Sequence, residues 1–304
     1  MGTMSRGPWS MTMILIAINV GVYLLDWMLV SAGASIQMAG TTRVLLPNGD
    51  LAYQSVSQAP IFALGHFSTY TAFSKLEFWR FVTFQFLHGS PTHLLFNMIG
   101  LYFFGPAVEG YLRSRKRFLA FYLTCGIFGG FLYLVLNLIA NLTNAGIPGL
   151  LFVPPTTPLV GASAGVFGIL MASAFISKDA VMYVFMVIPM KVRTGAYLFV
   201  ALAAFNLFIK QGANMGGDAA HLGGAAAGYF FIRRHHMLHD FFDIFGTSKK
   251  GSGSRQGRSR KKAKPTVDEA TLDRILDKVR EEGMHSLTEK EQKLLRKASE
   301  QKKR

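Results

Sequence analysis

Charged side chains are scarce in this 304-residue chain: Lys, Arg, Asp and Glu make up 16% of it, against about 25% in an ordinary soluble domain. The shortage is confined to one region. Of 49 charged residues, 31 lie beyond residue 232 and only 18 are spread over the first 232. An apolar body of that length cannot cover a water-facing surface. A soluble globular fold is thereby excluded for residues 1–232, and a membrane protein with a charged tail remains. Acid is scarcer than base, 17 residues against 32, and the net charge of +15 divides as +6 on the body and +9 on the tail. Cysteine is almost missing. The single Cys125 excludes a disulfide framework and a cysteine metal cluster, and its apolar neighbours mark it as inert packing. Neither a transit peptide rich in Arg and Ser nor a small-residue cleavage site is visible. The first apolar stretch is too long for a signal-peptide core and reads as a retained span.

What is present is a series of apolar runs. Residues 9–31 carry one acid, Asp26; as a helix they reach about 34 Å, enough to cross a bilayer core with some tilt. Residues 32–89 are mixed in character and form a long external or interfacial loop. Further spans are expected at 91–108, 118–139, 161–177, 195–209 and 219–232. The loop after the second holds Arg113, Arg115, Lys116 and Arg117, and the loop after the fourth holds Lys178, Lys191 and Arg193. The intervening loops hold no basic residue once Lys210 is counted with the fifth span. By the positive-inside rule this alternation predicts six spans with both termini cytoplasmic. The expected fold is therefore all-α, a six-helix membrane bundle over residues 1–239.

Two soluble pieces follow. Residues 240–266 form a basic flexible linker, rich over 247–264 in Gly, Ser, Lys and Arg. It either lies against anionic lipid or is simply solvated. No aromatic residues interleave with its charges, so nucleic acid is not an expected partner. Residues 267–304 form a small helical hairpin. Leu272, Ile275, Leu276 and Val279 fall at helical spacing, Gly283 is a stop, and Thr288 with Glu291 makes a capping box before Leu294 and Leu295. This is an appendage suited to a cytoplasmic partner.

Polar groups inside spans are functional suspects. Ser163 lies in Gly161-Ala162-Ser163-Ala164-Gly165, after an uncharged connection with four prolines. The helix that follows is about 22 Å long, short of the roughly 30 Å core. Its start should therefore lie below the membrane surface, where helix-end N–H groups could hold an oxyanion. Alternatively, the serine is only a helix cap. His221 heads the sixth span, and Gly224 and Gly228 form a small-xxx-small face matching Gly161, Gly165, Gly168 and Ala172 on the fourth. Such faces let helices approach closely, which would bring His221 within reach of Ser163. A serine becomes a useful nucleophile when an adjacent base takes its proton. His93 and Asn97 share one helix face, with Ser90 and Pro91 as cap and first residue. They suit a polar helix–helix contact or, as hydrogen-bond donors, oxyanion stabilisation.

The ordered set of Trp79-Arg80, HGSPTHLLFN over 88–97, Gly161-Ala162-Ser163 with Phe167 and Gly168, and AHLGGAAAG around His221 resembles the rhomboid family of intramembrane serine proteases across residues 9–233. The resemblance implies Ser163 as nucleophile and His221 as general base. It implies His93 and Asn97 in the oxyanion hole with the Ser163 backbone, Phe167 packed on the catalytic imidazole, and Gly161 in support. Trp79-Arg80 and Glu109 match structural positions. One departure is Ala164, where many members have glycine after the serine; a methyl group there is compatible with activity.

The resemblance implies transmembrane protein substrates, contact with membrane lipid, no cofactor and no metal. It implies a bacterial inner membrane and a gate at the fifth span. No third acidic member is implied, and Asp218, one turn before His221, reads as a loop-end residue. A catalytically dead relative that binds membrane proteins would lose the serine or the histidine. A transporter would show internal repeats and mid-membrane charges.

Overall fold

The computed structural model describes residues 9–143, 147–184, 187–210, 214–238 and 269–302. Two compact units divide the chain, Met1–Leu238 and His239–Arg304. The basic linker at 240–266 lies outside the described residues.

In the first unit, helix α1 (Met11–Ser31) starts two residues later than its apolar run because the Ser10 hydroxyl caps it, accepting from Met13 N at 3.2 Å. The first loop is more built than a loop. It opens with an antiparallel hairpin, β1 (Ile36–Leu45) and β2 (Leu51–Gln58), in a register from Ile36↔Gln58 to Leu45↔Leu51 with a shift between Ala39 and Arg43. Short helices α2 (Pro60–Gly65) and α3 (Arg80–Thr83) follow. Then come α4 (Pro91–Leu112), α5 (Arg115–Thr143) and α6 (Ser163–Ile176). A second hairpin, β3 (Val181–Val184) with β4 (Ile188–Lys191), leads into α7 (Val192–Phe205), which ends in a π-helical turn, Asn206–Lys210. Last is α8 (Met215–Arg233). The expectation of an all-α body is thus modified by two hairpins, in which Pro189 pairs with Tyr183 rather than merely breaking a run. Helix α8 begins a turn earlier than the sixth span expected from 219, which places Asp218 inside a helix.

The helices pack through groups that satisfy one another's ends. Glu109, buried near the end of α4, accepts from Met11 N at 2.7 Å, Thr12 N at 3.0 Å and Thr12 Oγ1 at 2.8 Å, so it caps α1. Asp26, near the end of α1, accepts from Ile61 N and Phe62 N at 2.8 and 2.9 Å and caps α2. A carboxylate at a helix start meets both the unpaired N–H groups and the positive end of the helix dipole. Arg80 is buried within the first loop; it pairs with Glu77 at 2.5 Å and donates to the carbonyls of Ala63 and His66 at 3.1 and 2.7 Å. This one guanidinium closes α2 onto α3.

In the second unit, α9 (Glu269–Glu282) and α10 (Glu289–Lys302) flank a turn at Gly283, whose φ of 82° favours glycine. Ile275 and Leu287 are its buried residues among those described. Glu291 accepts from Thr288 N at 2.8 Å and Thr288 Oγ1 at 2.8 Å, and Glu291 N donates back to Thr288 Oγ1 at 3.4 Å, forming the capping box expected from the sequence.

Glu109→Ala strands three donors at the start of α1, and should lower stability by roughly 2–4 kcal/mol, read as a fall in the thermal unfolding midpoint in detergent. An unchanged midpoint would show that the cap is not holding α1. The hydrogen bonds from Thr288 hold the Glu291 carboxyl at about 2, down from 4.5. A depressed carboxyl stabilises the folded form above its unfolded value and loses that stabilisation as pH falls. The first turn of α10 should therefore keep its amide protection above about pH 4.5 and lose it toward pH 2 in hydrogen exchange corrected for intrinsic rate.

Candidate active site

The site begins with a connection that is fastened along its length. From α5, Asn137 Nδ2 donates to the carbonyls of Leu151 and Val153 at 2.8 and 2.9 Å, and the Tyr133 hydroxyl donates to Thr157 O at 2.9 Å. Phe67 and Leu159 then exchange backbone hydrogen bonds of 3.0 and 2.7 Å, a single antiparallel bridge to the first loop. These bonds answer the problem of irregular backbone in an apolar setting, where every N–H and C=O must find a partner. The segment ends at Gly161, with φ of 127° and its N–H on Phe84 O at 2.9 Å. Only glycine fits here. A methyl group would lie 2.7 Å from His93 Nε2 and 3.6 Å from Ser163 Oγ, so those two side chains converge on the same point.

Ser163 is the first residue of α6. Its predecessor Ala162 holds the cap position and offers no side-chain hydrogen bond to the helix start. The serine is therefore not the N-cap, and the first-turn N–H groups, which have no intrahelical acceptor, form a positive end beside its hydroxyl.

Helix α8 meets α6 backbone to backbone. A Cβ on Gly224 would overlap Ala164 O, and one on Gly228 would overlap Gly168. Gly129 of α5 sits in the same junction, where a methyl would come within 2.6 Å of both Ala164 Cβ and Ala220 O. This close approach puts the His221 ring on Phe167, one turn after Ser163, with centroids 4.2 Å apart and planes within 3° of parallel. Nδ1 of the same imidazole lies 3.9 Å from Asp218 Oδ1.

Helix α4 supplies the third wall. Ser90 accepts from His93 N at 3.2 Å and Pro91 occupies the first turn, as the sequence predicts. His93 is near enough to His221 to interact with it electrostatically. Asn97, buried one turn on, donates to His93 O at 3.0 Å. Behind them His88 is buried edge-on to His93 at 5.1 Å, and neither of its ring nitrogens has a hydrogen-bond partner among the described residues.

Comparison with known proteins matches residues 75–236, more than half of the chain, to the Rhomboid domain. The chain belongs to the rhomboid family. Residues 261–301 match a family of unknown function (DUF6576). This rhomboid is 31% identical over 159 residues to the rhomboid-family protein YdcA of Bacillus subtilis (strain 168), covering 50% of this chain and 65% of that one. It is also 31% identical over 147 residues to RHOMBOID-like protein 12, mitochondrial, of Arabidopsis thaliana, covering 48% and 43%. The matches thus span about two thirds and under half of those relatives' lengths. Among the described residues, three helices, Met11–Ser31, Arg115–Thr143 and Val192–Ile209, are long and apolar enough to cross a membrane. With the family, they make this rhomboid a multi-pass integral membrane protein.

The sequence-predicted residues Gly161, Ser163 and His93 come together at one point, and Phe167 and His221 meet beside them. Asn97 stands one turn below His93, its amide turned to its own helix. Two further residues of the rhomboid domain were not picked out as site residues. His88 was visible only as part of the HGSPTHLLFN run. Asp218 is a correction: it is buried inside the first turn of α8, at 5% exposure, and not at a loop end. The three-residue offset from His221 was the available signal, obscured by Gly216 and Gly217, which read as loop.

Because α6 and α8 touch through backbone, Gly224→Ala should force them apart. We expect a loss of about 1–3 kcal/mol, measured by unfolding in detergent. A variant as stable as wild type would mean that the glycine face does not set the helix spacing.

Proposed function

We propose that this rhomboid is an intramembrane serine endopeptidase that hydrolyses peptide bonds in or near transmembrane segments of membrane-protein substrates, through a Ser163–His221 dyad in a six-span bundle with both termini cytoplasmic. The reading rests on one observation: Phe167 stacks on the His221 imidazole one turn beyond Ser163, while His93 and Ser163 converge on Gly161. That arrangement supports a nucleophile, a base and an oxyanion donor acting together in acyl transfer.

In this reading the Ser163 hydroxyl attacks the substrate carbonyl as His221 takes its proton. The negative charge that forms on the carbonyl oxygen is met by the first-turn N–H groups of α6, by His93 and by Asn97. The carbon–nitrogen bond then breaks, and the imidazolium returns its proton to the leaving amine. Water attacks the acyl-serine ester, His221 again acting as base, and frees the acid product. Phe167 holds the imidazole ring in one plane, and Gly161 leaves the space in which His93 reaches the oxyanion. No metal or cofactor enters any step. Water and substrate reach the site from the outer face, with α7 as gate. The substrates are transmembrane proteins in contact with lipid, and the host membrane is a bacterial inner membrane. The C-terminal hairpin serves a cytoplasmic partner.

The test needs no known substrate. The full chain in detergent should react with a fluorophosphonate probe, and the label should be lost in both Ser163→Ala and His221→Ala. Labelling that survives Ser163→Ala means another nucleophile. A wild-type chain that does not label, beside an active rhomboid that does, would identify a relative that binds membrane proteins without cutting them.

A further inference from the structure

Asp218 is a carboxylate in a place that should discourage one. It is buried, it stands on the helix that carries His221, and only six acids are present in the whole apolar body. A buried carboxylate persists where it is paired and hydrogen-bonded. Three features of the structure meet that need. Asp218 lies in the first turn of α8, at the positive end of the helix dipole. The side chain of Asn206, at the start of the π-helical turn that ends α7, is near enough to interact with it. The third is Nδ1 of His221 at 3.9 Å.

These contacts fix the carboxylate on one side of the imidazole while Phe167 lies flat on its face. That leaves Nε2 as the nitrogen free of them. A base does its work with one nitrogen, and which one is available depends on what holds the other. A carboxylate beside Nδ1 favours the tautomer with its proton there, leaves Nε2 unprotonated to accept from serine, and stabilises the imidazolium that follows. We propose that Asp218 is the positioning residue of His221: it orients the imidazole and stabilises its charged form during proton transfer.

The proposal deepens the dyad reading above and depends on it. It also has a structural competitor, since an acid in the first turn could simply steady the start of α8. The two readings differ in what a neutral replacement does to pH dependence. The other titratable groups facing this end of the site are His93 from α4, with His88 behind it, and Tyr133 from α5, which packs on Gly216 and commits its hydroxyl to Thr157 O. None of them is altered by a change at 218.

The rate at which a fluorophosphonate labels Ser163 is measured against pH in the full chain, for wild type, Asp218→Asn, Asp218→Ser and Asp218→Glu. The acid limb marks protonation of the base. Without the carboxylate the imidazolium is less favoured, so in both neutral variants the limb should move to lower pH by about one unit. The plateau rate should fall roughly ten- to a hundredfold, less than the roughly ten-thousandfold loss where the equivalent contact is a full hydrogen bond. Asp218→Glu should keep the wild-type midpoint. The midpoint does not depend on the folded fraction, so partial unfolding lowers amplitude without moving it. Neutral variants with the wild-type midpoint would overturn the proposal. So would loss of all folded protein in both, which would assign the carboxylate to the helix end alone. Failure of the dyad reading looks different: labelling then persists in Ser163→Ala or is absent from wild type.

Discussion

The backbone contact between α6 and α8 is the constraint on which the rest of the site depends. Helices in lipid are not driven together by the hydrophobic effect, because lipid tails are as apolar as their side chains. What remains is close packing, and it needs residues small enough for backbones to meet. Gly224 and Gly228 meet Ala164 and Gly168 in this way, and Gly129 of α5 closes the third side. Cys125 fills the space behind Gly168, so the lone cysteine is packing. Two side chains far apart in sequence can cooperate in chemistry only if their helices do not slide. With no side chain between the two backbones, the vertical register of His221 against Ser163 is set by the peptide groups themselves.

That contact would be idle if α6 began at the wrong height. It is a 14-residue helix, shorter than a span, and the connection that delivers it must run where water is scarce. The bonds from Asn137, Tyr133 and Phe67 replace water as partners for that backbone. Thr69 adds a bond of 2.5 Å to Asn137, tying the first loop to the same support. The first loop and the connection before Ser163 thus share one anchor on α5. Gly161 is the last link, since its positive φ turns the chain so that Ser163 starts the helix and a side chain at 161 does not displace His93.

Much of this was legible in the sequence because it is written in short-range chemistry. Ser90-Pro91 announces the start of α4, Thr288 with Glu291 that of α10, and the glycine spacing on the fourth and sixth apolar runs announces their contact. The four-residue offset of His93 and Asn97 puts them on one face without any tertiary knowledge. What escaped depends on partners distant in the chain. Nothing near Asp26 says that it caps α2, or near Glu109 that it caps α1, because the recipient N–H groups lie tens of residues away. The first hairpin escaped because charge and apolar run length over residues 36–58 say nothing of strand pairing. The start of α8 escaped because Gly216-Gly217 is weak helix sequence. Tertiary packing overrides it there: a Cβ on Gly216 would press within 2.7 Å of the Tyr133 ring, so glycine is selected for space rather than for a turn.

The scarcity of acid in the body now has a physical reading. In an apolar environment an unpartnered carboxylate is too unfavourable to keep, so each one that remains should be bonded to something. All six are. Glu109 and Asp26 cap helices that approach from elsewhere in the chain. Glu77 pairs with the buried Arg80 that closes the first loop. Asp50 accepts from Asn48 at 2.7 Å in the turn of the first hairpin, and Asp179 meets Lys191 at 3.4 Å beside the second. Five of the six thus join or end elements of the scaffold. Asp218 is the exception, because its nearest charged partner is not scaffold but the imidazole proposed as the base. Where every other acid is accounted for by a backbone end, a cation or a turn, the one placed against a titratable ring is the one whose charge the chemistry can use.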